Sequence, residues 1–166
     1  MFNRIFKKKQ SQPVIQYLVA QLNARLQPMD RGEYFEDPLE EVLRKGNYGE
    51  VSGGGTMQAK TGEIKYCDIE IQVSTSSPEV LALVIGALEE LGAPKGSKLT
   101  VESTGEELTF GVTEGLAVYL NGTDLPAETY QDCDSNHVYD EIERLLEGEG
   151  RILSFWQGPT ETALYM

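Results

Sequence analysis

The densest grouping of oxygen-bearing side chains in the sequence is DCDSNHVYDEIE, Asp132 to Glu143. Read as a twelve-residue cation loop, it places Asp132, Asp134, Asn136, Asp140 and Glu143 at the first, third, fifth, ninth and twelfth positions, where calcium loops carry oxygen ligands. His137 stands at the sixth, where such a loop needs glycine for its sharp turn. The competing reading is a helix start, with Asn136 or Ser135 as cap and Asp132 and Asp134 favouring the positive helix end. The spacing of Val138, Ile142 and Leu145 supports the helix. Calcium is therefore a secondary expectation, and no other cofactor is expected.

Three further patterns bear on chemistry. Ser52-Gly53-Gly54-Gly55-Thr56 is glycine-rich but lacks the Lys-Ser/Thr ending of a phosphate loop and opens no helix, so it reads as a strand entry, a bulge or a docking edge. His137 is the only histidine, and Cys133, four residues earlier, is flanked by Asp132 and Asp134, acids that disfavour a thiolate. No catalytic residue is assigned. Asp68 and Glu70 alternate on the polar side of a strand, and Trp156 lies beside Phe155 on another; these three residues are the candidate partner contacts.

The elements that must position these residues follow from periodicity. Pro13 to Leu26 carries apolar residues at helical spacing and predicts an amphipathic helix, and DPLEEVLRKG, Asp37 to Gly46, predicts a second one. Glu50 to Ala59 and Glu63 to Val73 predict a hairpin, with Cys67, Ile69, Ile71 and Val73 facing inward. A helix opens at Ser77-Pro78 and stops at Gly92. Ser97 to Ser103 and Leu108 to Leu120 predict two strands, Asn136 to Glu147 a helix, and Ile152 to Trp156 and Thr160 to Tyr165 a final strand pair. The fold class expected is α+β, two-layered, with a mostly antiparallel sheet and helices on one face, preceded by N-terminal helices. The β-β-α order occurs twice, which suggests a duplication. The expected division is a basic arm over 1–12, a helical segment over 13–46 and an α+β domain over 47–166, forming a single compact unit.

The composition, 40% hydrophobic and 25% charged over 166 residues, is that of an ordinary globular chain, and its net charge is −13. An acidic chain of this kind is not expected to bind nucleic acid. The charge is unevenly placed: Arg4, Lys7, Lys8, Lys9 and Arg25 give +5 with no acid before Asp30, leaving −18 for the remainder. This asymmetry suggests a basic arm lying on an acidic body, or weak peripheral membrane contact through residues 1–9, where Phe2, Ile5 and Phe6 interleave with the basic residues. No stretch is long enough to span a bilayer, and two cysteines without ligand spacing fit reduced thiols, so a cytoplasmic location is expected. The function expected is non-enzymatic binding of a basic protein partner, on the charge logic of acidic inhibitors and immunity proteins. The alternatives are an enzyme or small-ligand or cation-binding domain with its site near Asp132–Glu143 or Gly53–Gly55, and self-association into a homo-oligomer.

Overall fold

The computed structural model describes residues 15–166. The expected basic arm over 1–12, and the membrane contact placed in residues 1–9, lie outside the described residues. The chain is α+β and forms two antiparallel sheets. Strand β1 spans Gln16–Leu22, followed by a helical stretch made of α1 (Pro28–Arg31), a π-helical turn (Gly32–Glu36) and α2 (Asp37–Gly46). A hairpin of β2 (Gly49–Gln58) and β3 (Ile64–Val73) leads to α3 (Pro78–Glu90), then to β4 (Ser97–Val101) and β5 (Glu106–Phe110). The last part holds β6 (Ala117–Asn121), α4 (Ala127–Asp132), α5 (Ser135–Leu146), β7 (Ser154–Gln157) and β8 (Glu161–Tyr165).

The first expected helix is instead the central strand of the larger sheet, whose order is β2-β3-β1-β4-β5. QYLVAQL satisfies both periods, and its neighbours decide between them. Leu18, Ala20 and Leu22 are fully buried, while Tyr17, Val19 and Gln21 face the other way. Pairing to β3 along its whole length and to β4 over Leu18 to Gln21 satisfies its backbone on both sides. The helical part of 13–46 therefore begins only at Pro28, and β1 is integral to the α+β unit.

The core lies between this sheet and the helices. Leu18, Leu22, Cys67, Ile69, Ile71, Leu99 and Val101 of the sheet meet Phe35, Leu39 and Leu43 of the first helical stretch and Val80, Val84 and Leu88 of α3. The buried stripe of α3 is Val80, Leu81, Val84 and Leu88, and the helix stops where Gly92 turns left-handed at φ +90°. The α2 helix spans the predicted Asp37–Gly46, with Asn47 supplying the left-handed cap at φ 53°.

The strand predicted over Leu108 to Leu120 is divided. Gly111 adopts φ +109°, and a Cβ there would overlap the Pro94 carbonyl, so only glycine lets the chain leave the first sheet at this point. Residues beyond it join a second sheet, ordered β6-β8-β7. The two hairpins of the large sheet are separated by β1, and the second is followed by a strand of another sheet, so the expected β-β-α order is not repeated.

Candidate functional site

The helices cover one face of the five-stranded sheet and leave the other open. Cross-strand register sets what that open face displays. One row runs Gly53–Glu70–Val19–Thr100–Glu107 and the next Gly55–Asp68–Gln21–Lys98–Thr109, residues opposite one another sharing a face. Tyr17, 45% exposed, extends the face beyond Val19 and is opposite Gln72. The result is an aromatic and apolar centre, Tyr17 and Val19, among the carboxylates of Asp68, Glu70 and Glu107. Gln21 Nε2 donates to Asp68 Oδ1 at 3.3 Å, and Lys98 Nζ pairs with Glu107 at 3.3 Å, while Glu70 is exposed.

Asp68 and Glu70 thus share one face, as the alternation predicted. Trp156 is elsewhere: it is the inward member of its pair, 9% exposed, and packs with Ala163 and Tyr165 in the small sheet. It is Phe155, at 60% exposure, that faces outward. Alternation required that the two face opposite sides and left open which was buried. A Cβ on Gly158 would collide with the Trp156 ring, so the glycine of the GP turn is what makes room for the inward indole.

The Asp132–Glu143 acids are exposed on α4, α5 and the link between them. Asp134 caps α5, its Oδ1 accepting the Asn136 N–H at 2.9 Å, so one of the five candidate ligands is occupied in starting a helix. Asn136 and Asp140 follow on the same helix with Glu143. Among the described residues, no three His, Cys, Asp or Glu side chains come together in a way that could hold a metal ion. His137 is exposed on α5 and Cys133 is exposed beside it. Cys67 is fully buried, and burial pushes its thiol up to about 12.

The glycine run has a structural task that is visible only in three dimensions. Arg31, buried in the first helical stretch, donates from Nε to Glu36 Oε1 at 2.6 Å and from Nη1 to the Gly55 carbonyl and Thr56 Oγ1, each at 2.8 Å. Gly54 lies directly against this pair: a Cβ on it would fall 2.8 Å from Arg31 Nη2 and overlap Glu36 Oε1. Glu40 of α2 accepts the Val51 N–H. Side chains of the helical stretch therefore occupy backbone groups of the edge strand β2, which limits its availability for pairing with another chain. A bulge at Ser52, between the Val51 and Gly53 pairings, adds to this.

A second polar cluster, also without local signal, joins the two sheets. Glu63, at the tip of the β2–β3 hairpin, accepts hydrogen bonds on Oε1 from Tyr119 at 2.6 Å and Tyr165 at 2.7 Å. Arg25 Nε is 3.6 Å from the same oxygen, and its guanidinium lies over the Tyr165 ring, 5.4 Å from the centroid. The Tyr119 hydrogen bond, then that of Tyr165, with Arg25 adding, holds the Glu63 carboxyl below the usual carboxylate range. Burial first, and the Glu63 hydrogen bond next, push the Tyr165 phenol far up, and Glu63 raises Tyr119. Both phenols thus serve as donors to Glu63, which makes the cluster a clamp between the two sheets.

No family model, no curated protein and no solved structure matches this chain. Among the described residues no helix is long and apolar enough to cross a membrane.

Proposed function

We propose that this chain is a small, acidic, non-enzymatic protein that binds a basic protein partner, of the inhibitor or immunity type by analogy of charge, and that it does so through the open face of its larger sheet. The observation that carries the reading is the row Glu70–Val19–Thr100–Glu107 beside Tyr17 and Asp68, an uncovered central strand bordered by carboxylates. Tyrosine supplies large contact area at low entropic cost, and the surrounding acids steer a cationic surface and reject an anionic one. The body charge of −18 extends the same field.

The test is comparative capture on immobilised full-length protein at about 50 mM and about 500 mM salt, between which the Debye length shrinks roughly threefold. A specific partner is retained by the wild type at low salt, lost at high salt, and lost at low salt by Asp68→Lys/Glu70→Lys and by Tyr17→Ala. It is retained by Glu141→Lys/Glu143→Lys on α5. A partner held equally by the face variants and the wild type overturns the assignment of this face.

A further inference from the structure

Among the described residues four strands stand at sheet edges, β2 and β5 in the larger sheet and β6 and β7 in the smaller. An edge strand offers N–H and C=O groups to another chain unless charge, proline, a bulge or covering side chains prevent it. β2 is occupied by Arg31 and Glu40 and bulged at Ser52. β5 carries Glu106 and Glu107, so two copies meeting there would bring like charges together. β6 is bracketed by Glu114 and Asp124. β7, SFWQ, has none of these guards within it. It lies in GRILSFWQGPT, residues 150–160, which contains Arg151 and no acid in a chain with 27 acidic residues.

The hydrogen-bond phase of β7 fixes which groups its edge presents. Gly158 N–H donates to the Glu161 carbonyl at 2.8 Å, and alternation from there directs Trp156 and Ser154 to Ala163 and Tyr165 of β8. The Leu116–Met166 pair, bonded in both directions, sets the same phase from the other side, leaving Leu164 and Thr162 to bond β6. The backbone N–H and C=O of Phe155 and Gln157 therefore point away from β8, along the outer edge. The Phe155 ring is exposed on the face it shares with Leu164 and Val118. A two-fold axis through Phe155 makes this residue its own partner, each N–H donating to the other copy's carbonyl with the two rings side by side. Gln157 N–H then faces the Leu153 carbonyl of the other copy. Two chains of charge −13 repel where acids line their contact, and this edge has none. It equally offers no carboxylate to a basic partner.

We infer that a second copy of this chain pairs antiparallel along β7, joining the two small sheets into one across a two-fold axis at Phe155. This edge belongs to the smaller sheet and the open face to the larger, so either reading can fail without the other. The test is sedimentation equilibrium of the full-length protein from about 10 μM to about 1 mM, a range suited to an interface smaller than the standard size. A monomer–dimer equilibrium is expected, and raising salt from about 50 mM to about 500 mM tightens it at least about threefold by screening the repulsion between copies. Binding of a basic partner moves the opposite way with salt. Phe155→Lys, at an exposed position, is expected to weaken the dimer about tenfold, and Ala117→Lys on the β6 edge to leave it unchanged. Amide hydrogen exchange gives the residue-level readout: Phe155 and Gln157 gain protection as concentration rises, while Ser154 and Trp156, bonded to β8, do not. A single monomeric species over the whole range overturns the inference. So does a dimer that salt weakens, that survives Phe155→Lys or that Ala117→Lys abolishes, or exchange at Phe155 and Gln157 that is independent of concentration.

Discussion

Arg31 and Glu36 form an ion pair across the π-helical turn, Nε to Oε1 at 2.6 Å, pressed against Gly54 of β2, where a Cβ has no room. The Arg31 side chain is 8% exposed and that of Glu36 21%, so breaking the pair strands a largely buried charge. Its second role is to hold β2 to the helical layer through the Gly55 carbonyl and Thr56 Oγ1.

Gly54→Ala is therefore expected to destabilise the fold by about 2–4 kcal/mol, because the displaced atoms belong to a largely buried ion pair and to the Asp68 carbonyl. Gly55→Ala, whose nearest atom is the Asp68 carboxylate at 3.8 Å, is expected to cost no more than about 1 kcal/mol. Urea unfolding of the two variants side by side reads the difference, and equal midpoints would remove the explanation of the glycine run.

Arg31→Met is expected to cost about 3 kcal/mol by leaving Glu36 without its partner, and Arg31→Met/Glu36→Gln to recover part of that loss. Thermal melts of the single and double variants give the coupling. Additive losses would mean that the two side chains act independently.

The burial pattern of β1 separates the strand from the helix that its sequence also permits. Ala20 is fully buried and Val19 faces the open side, so Ala20→Asp is expected to prevent folding and Val19→Lys to shift stability by less than about 1 kcal/mol. The helical reading places Val19 inward and would reverse the order. Circular dichroism melts of both variants decide it.

Much of the fold was legible where one period dominated. The stripe of α3 and the strict alternation of Cys67, Ile69, Ile71 and Val73 leave no second solution. β1 was not, because Leu18 and Leu22 are four residues apart and also two steps of an alternation through Ala20, so only the flanking strands resolve them. The division at Gly111 depends on the distant Pro94 carbonyl. The same holds for the sites. Alternation put Asp68 and Glu70 together, but the Gly54 contact with Arg31, and Glu63 joined to Tyr119 and Tyr165 across 56 and 102 residues, have no local signature.

Glu63 sets a pH dependence whose sign follows from its depressed pKa. A carboxyl held below its ordinary 4.5 contributes stability that is present above that value and is lost as pH falls through the folded-state value. The stability gap between wild type and Tyr119→Phe is therefore expected to be constant near neutrality and to shrink on acidification below about pH 4.5. For Tyr165, raised in the fold, the contribution is present below the ordinary phenol value of 10 and is lost as pH rises beyond it. Chemical denaturation across pH checks both, and a gap unchanged under acid would show that Glu63 is not held by the phenol.

The partner is proposed to sit on the open sheet face, and backbone amide chemical-shift mapping of the labelled full-length protein with its salt-sensitive partner reads that contact residue by residue. The predicted result is perturbation clustered on Tyr17, Val19, Asp68, Glu70, Thr100 and Glu107, adjacent in space though drawn from four strands. Perturbation confined to α2 and α3, on the covered side of the sheet, with these six amides unmoved, would contradict it.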